Sequence, residues 1–188
     1  MSNRKRIRLR TFDYVGEYRC FFTVCTDHRR RIFTSSDVVD RVLLQFQRCA
    51  AREDIAILAY CFMPDHLHLL TRGLMPASDS LRFIRVAKQN AGFWYSRRTG
   101  RPLWKRDVWD RVLRANEDAM DVVRYIFANP VQAKIVTDPF DYPFSGSKVY
   151  SREQIEAAFR KNQPDRAEGE SSGSCGNDLG APASLIPE

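Results

Sequence analysis

Two apolar, strand-prone runs separated by only two residues constrain this chain more than any other feature. Ile55-Ala-Ile-Leu-Ala-Tyr-Cys-Phe-Met63 and His66-Leu-His-Leu-Leu-Thr-Arg72 are joined by Pro64-Asp65. Pro and Asp supply turn chemistry, and two strands with so short a connection make a hairpin. The chain is thereby committed to an antiparallel sheet. His66 and His68, two of the three histidines, stand in the second strand. Side chains at i and i+2 of a strand share a face. The two imidazoles are expected to aim at one point, with Leu67 and Leu69 turned the other way into a core.

The remaining segments fit around this hairpin. Arg19 to Thr26 is rich in β-branched and aromatic residues and reads as a buried strand. The basic loop Asp27-His-Arg-Arg-Arg-Ile32 follows it, and His28 belongs with this phosphate-facing loop. Ser36 is expected to cap a helix from Asp37 to about Ala51, with Val39, Val42, Leu43 and Phe46 at helical spacing. Ser78 or Asp79 caps a second helix, running to about Arg98 and ended by Gly100 and Pro102. Trp104 to Arg114 reads as a fourth strand with two apolar faces. Asn116 is expected to cap a helix that begins Glu117-Asp118 and runs to Ala128, leaving room for a short further helix over 131–136. Asp138 to Ser145 is aromatic and proline-rich and is expected to pack over the body. Residues 151–161 are helix-capable. The order β-α-β-β-α-β-α is an α+β, ferredoxin-like antiparallel pattern with an added C-terminal helix. Helices on one face are expected to leave the other face open to a ligand.

Charge narrows the class of partner. The chain carries +7, yet residues 162–188 hold five acids against Arg166 alone, leaving +11 on residues 1–161. A folded unit over 1–160 with a basic N-terminal arm is expected, followed by an acidic, disordered tail over 161–188. A basic body points to a polyanion, nucleic acid before membrane, although a solvated basic surface has the same composition. Arg29, Arg30 and Arg31 in the loop, Arg82 and Arg85 on the polar side of the second helix, and Lys105 and Arg106 are the expected DNA contacts. There is no signal peptide and no apolar run long enough to cross a membrane. Five cysteines without a Cys-x-x-Cys pair suit reduced thiols in a cytoplasmic protein.

An isolated His-x-His is most simply two ordinary strand histidines. Three specific uses are excluded by missing partners. A histidine-triad hydrolase wants a third His where Leu70 stands. A two-histidine phosphoesterase wants a second, distant His-x-Ser/Thr. A Cys/His zinc site wants paired cysteines. A pair completed by an oxygen ligand from elsewhere survives, and it suits Mg²⁺ or Mn²⁺. On the last long helix Met120, Val123, Ile126 and Phe127 form an apolar face. Asp121, Tyr125 and Asn129 fall together opposite it. Asn129 can supply the missing oxygen, and the same residues also fit an exposed tyrosine beside a helix-ending Asn-Pro. Tyr95 lies by the packing stripe of its own helix.

Pro64-Asp-His-Leu-His-Leu-Leu70 resembles the HUH motif (His, bulky hydrophobe, His) of single-tyrosine transposases. Tyr125-Ile-Phe-Ala-Asn-Pro-Val131 resembles their tyrosine helix, most closely that of the REP-associated tyrosine transposases. The likeness extends to Leu103-Trp104, to Asp110 through Arg114 and to Asp138 through Ser145, covering about residues 4–150. It implies a metal-dependent DNA transesterase, a single-strand endonuclease and strand transferase cutting near hairpins. His66, His68 and Asn129 would hold Mg²⁺ or Mn²⁺. Tyr125 would form a 5′-phosphotyrosine, with Asp121 as proton acceptor or outer partner. Single-stranded or hairpin DNA is the implied partner, and monomer and homodimer both fit. A hairpin-binding module that does not cut, or a hydrolase that uses water, are the alternatives.

Overall fold

The computed structural model describes residues 12–161, so the basic arm and the acidic tail expected from the sequence lie outside the described residues. Five strands form one antiparallel sheet: β1 (Arg19–Cys25), β2 (Ile55–Met63), β3 (His66–Gly73), β4 (Trp109–Val112) and β5 (Ser145–Gly146), in the order β4-β1-β3-β2-β5. The first four strands have the ferredoxin-like arrangement, and β5 adds a short edge. β2 and β3 are joined by Pro64-Asp65, as their spacing required.

Helices α1 (Ser36–Arg52) and α2 (Ser80–Thr99) cover one face of the sheet. Their core contains Phe22, Val24, Leu67 and Leu69 from the strands and Val42, Phe46, Phe83 and Ala87 from the helices. Asp79 caps α2 by accepting from the Arg82 amide, and Gly100 closes it in the left-handed conformation (φ 70°). The N-cap of α1 is Ser35 rather than Ser36, and its side chain makes no capping bond.

The second face is not open, contrary to the sequence expectation. Helices α3 (Ala119–Gln132) and α4 (Arg152–Arg160) lie over it, packing on Phe21, Leu58, Cys61 and Leu70. This explains why the apolar pattern of β4 has no single buried side: both of its faces are covered, and all four residues are half-buried. α3 is capped by Asp118, whose side chain accepts from the Met120 amide, and not by Asn116. It continues through Pro130 instead of stopping at Ala128.

α3 is held from two sides. The sheet lies beneath it. On its far side Phe127 meets Phe140 at 5.9 Å between ring centroids, and Phe140 meets Phe159 of α4 at 5.6 Å. The Tyr142 hydroxyl then donates to the Phe62 carbonyl at 2.7 Å, tying the aromatic segment to β2. Val122, Val123, Tyr125, Ile126, Phe127 and Pro130 are all buried. At about 100° per residue they span an arc of about 200°, wider than packing against the sheet alone would need. Tyr125 sits at one edge of that arc. Cys20, Cys25, Cys49 and Cys61 are free thiols.

Candidate active site

The register of the hairpin and β1 builds the site. His66 pairs with Cys25 and His68 with Thr23 across β3 and β1. Both imidazoles project onto the α3 face, and Leu67 and Leu69 fill the opposite core. The two Nε2 atoms stand 3.0 Å apart with the rings at 87° to one another.

Each ring is oriented from behind through its other nitrogen. Asp65 Oδ1 lies 2.6 Å from His66 Nδ1, and Thr23 Oγ1 lies 3.1 Å from His68 Nδ1. A carboxylate only accepts, so Nδ1 of neutral His66 carries the proton and its Nε2 presents a lone pair. His68 is 4% exposed and stacks on Phe21 at 5.6 Å. Burial, and then the neighbouring His66, push its pKa down to about 3, so it is neutral. His66 is also lowered, first by burial, with Asp65 opposing. Burial raises the Asp65 carboxyl, but the His66 hydrogen bond and the Arg29 charge outweigh it and hold the group below its ordinary value.

A separation of 3.0 Å between the two Nε2 atoms suits a hydrogen bond in which His68 carries the proton, or two lone pairs held by one cation. Two ligands at right angles on an octahedral ion of Mg²⁺ type, each at about 2.1 Å, stand about 3.0 Å apart. The donors therefore fit such an ion. Among the described residues no three His, Cys, Asp or Glu side chains converge on one point. Any third protein donor must be of another kind, and Asn129 has the right chemistry. Its Nδ2 donates to the Tyr125 carbonyl at 2.7 Å, and its amide is in hydrogen-bonding reach of the His68 ring and the Tyr125 hydroxyl.

Tyr125 is 9% exposed, which corrects the expectation of a polar helix face. Its ring meets His68 edge-on at 6.0 Å and Phe21 at 6.1 Å. Burial raises the Tyr125 pKa, and Asn129 pulls it part of the way back. Asp121 does not share these surroundings: it is exposed, and its carboxylate accepts from Arg124 at 2.8 Å. Tyr95 is half-buried on α2, in the core of the opposite face.

The basic residues divide into two groups. Arg29 lies beside Asp65, with Nη1 3.3 Å from Oδ2. Arg30 turns back onto Asp27 at 3.0 Å and onto the Pro102 carbonyl, while Arg31 is exposed. Arg82, Arg85, Lys105 and Arg106 line a groove of about 640 Å³ between α2 and the segment before β4, on the α1/α2 side of the sheet. Arg82 is ion-paired with Glu53 at 3.1 Å. Lys88, not singled out from the sequence, lines the same groove. It donates to the Lys105 and Arg106 carbonyls at 3.0 and 3.3 Å, and burial pushes its pKa down to about 8. Thr23 was also missed, because its role depends on strand register and leaves no local motif.

A ferredoxin-like sheet that sets a His-x-His strand beneath a helix tyrosine defines a transposase of the IS200-like type. The IS200-like transposase family model matches residues 15–126, and the chain belongs to that family. Within it, the chain is 27% identical over 158 residues to a Haemophilus influenzae protein assigned as a REP-associated tyrosine transposase, covering 77% of this chain and 85% of the relative. A solved structure of a REP-associated tyrosine transposase bound to a REP hairpin shares the fold at a TM-score of 0.61 and 23% identity, covering 77% of this chain and 82% of that one.

Proposed function

We propose that the protein is a metal-dependent transesterase acting on single-stranded DNA beside hairpins, with Tyr125 as its nucleophile. The observation that carries this reading is the convergence of His66 Nε2 and His68 Nε2 at 3.0 Å beneath the Tyr125 ring. His66, His68 and Asn129 would hold Mg²⁺ or Mn²⁺. Such an ion, when bound, offsets charge on a non-bridging phosphate oxygen and favours in-line attack. The Tyr125 hydroxyl oxygen bonds to phosphorus as the bond to the 3′ oxygen breaks, giving a 5′-phosphotyrosine and a free 3′-OH. The tyrosine proton passes to solvent, since Asp121 is occupied by Arg124 on the outer side of α3, and solvent returns a proton to the departing 3′ oxygen. Asn129 eases this loss by drawing the raised Tyr125 pKa back down. A second 3′-OH reverses the step and joins strands without ATP. His68 and Tyr125 meet within one chain, which supports a tyrosine that works in cis, in a monomer or in each subunit of a homodimer. Among the described residues no helix is long and apolar enough to cross a membrane.

The test is to incubate the protein with labelled hairpin DNA bearing a single-stranded flank, in Mn²⁺, and to look for a denaturation-resistant protein–DNA band. The burial of Tyr125 favours one second reading, a module that binds hairpins without cutting them. Retained binding with no band in any divalent ion would select it.

Two further expectations arise here. Thr23→Val keeps the side-chain shape but removes the hydroxyl that pairs with His68 Nδ1. It should weaken Mn²⁺ binding by about 10- to 100-fold, and a Mn²⁺ titration that matches the parent would remove Thr23 from the site. Arg85 and Lys105 are exposed in the basic groove. If they contact phosphates, Arg85→Ala and Lys105→Ala should weaken hairpin binding irrespective of sequence. Each should also flatten the slope of log K against log salt by about 0.7–0.9. Unchanged slopes would place the DNA elsewhere.

A further inference from the structure

The loop after β1 is built with more constraint than a connection needs. His28 (φ 51°) and Arg29 (φ 54°) are consecutive non-glycine residues in the left-handed region, which L side chains adopt sparingly. Hydrogen bonds on both sides enforce this conformation. The Thr26 amide donates to the Asp65 carbonyl at 2.9 Å, and the Ile32 and Phe33 amides donate to the Pro64 carbonyl at 2.8 and 3.0 Å. Thr26 Oγ1 is 2.7 Å from the Arg30 carbonyl and 2.9 Å from the Asp65 carbonyl. The loop is thus stapled to the turn that carries Asp65 and His66, and its strained apex carries Arg29.

Arg29 differs from its neighbours. Arg30 is turned inward onto Asp27 and the Pro102 carbonyl, and Arg31 is exposed. Arg29 places Nη1 3.3 Å from Asp65 Oδ2 and 3.5 Å from His66 Nδ1, while its side chain remains 52% exposed. The guanidinium is a planar fork with five donors. One end is anchored on Asp65, and the remainder lies at the rim of the site on the Nδ1 side of His66, away from the point where the two Nε2 atoms converge.

We propose that Arg29 is a substrate-positioning residue that grips the DNA phosphate adjacent to the scissile one and so fixes which phosphate is presented to Tyr125. This rests on the transesterase reading for the identity of the scissile phosphate. The strained loop presets the guanidinium before DNA arrives, and Asp65 holds one edge of the fork so that the other is presented. Arg29 therefore selects a register on the strand, not a base.

The test is a double-mutant cycle read by binding, which does not depend on cleavage. In a Tyr125→Phe background, the affinity for a single-stranded substrate is measured with a neutral methylphosphonate placed in turn at each phosphate flanking the cut position. Arg29→Ala should weaken binding to the all-phosphate strand by about 10- to 100-fold, with Arg29→Lys losing less. One methylphosphonate position should weaken the parent similarly and cost Arg29→Ala nothing more. Additive losses at every position would overturn the proposal and leave Arg29 as a mere partner of Asp65. In the Tyr125-containing protein, moving the methylphosphonate should shift or abolish the cut site only when Arg29 is present. Failure of the transesterase reading would show separately, as binding and coupling without a covalent band.

Discussion

Tyr125→Phe should leave no denaturation-resistant protein–DNA band, a loss on the order of 10³-fold or more in adduct formation, because the attacking atom itself is removed. The substitution deletes one oxygen. The ring contacts with His68 and Phe21 remain, so the fold and hairpin affinity should be close to the parent's. Tyr95→Phe is the matched control, since Tyr95 packs on α2 in the opposite core. A band that survives in Tyr125→Phe and disappears in Tyr95→Phe would move the nucleophile to α2. Mixing Tyr125→Phe with His66→Ala should restore no band if each chain works with its own tyrosine. Recovery on mixing would show that the tyrosine of one chain serves the histidines of another.

Removing either histidine should be as severe, with a second signature that needs no DNA. An ion that binds the folded chain alone stabilises it by RT ln(1 + [M]/Kd), about 2.7 kcal/mol at one hundred times Kd. For a chain of this length that is a rise of about 5–10 °C in Tm. The parent should show such a rise with Mn²⁺, and His66→Ala should abolish it together with the covalent band. His66 is the cleaner choice, because His68 is stacked on Phe21 and bonded to Thr23. Its truncation opens a cavity and costs about 2–5 kcal/mol on its own account. Equal Mn²⁺-induced shifts in the parent and in His66→Ala would separate the histidine pair from metal binding.

The sequence disclosed whatever depends on local pattern. Apolar, strand-prone runs joined by Pro64-Asp65 identify the hairpin, and helical spacing identifies α1, α2 and α3. The His-x-His spacing alone places both imidazoles on one face. The parts that were not legible depend on contacts between distant segments. Tyr125 looked exposed because helical periodicity assumes one buried stripe, whereas α3 is buried from two sides. The covering of the second sheet face was hidden because α4 is short and follows an irregular aromatic segment. Thr23 became visible only through its register opposite His68. The cap of α3 shifted from Asn116 to Asp118, because residues of both types sit before the helix and local chemistry ranks them alike.

The grip on α3 bears on how strands could be exchanged. Phe140, Phe159 and the Tyr142 tether close over the helix from outside while the sheet supports it from within. A helix held this way would serve as an anchorage and not as a swinging arm. If Tyr125 carries the 5′ end of a cut strand, that end stays where it was made. The traffic of the reaction then falls to the nucleic acid: the released 3′ end must depart and a different one must be delivered to the same fixed point. The choice of products would be governed by which free 3′ end the DNA itself can bring within reach.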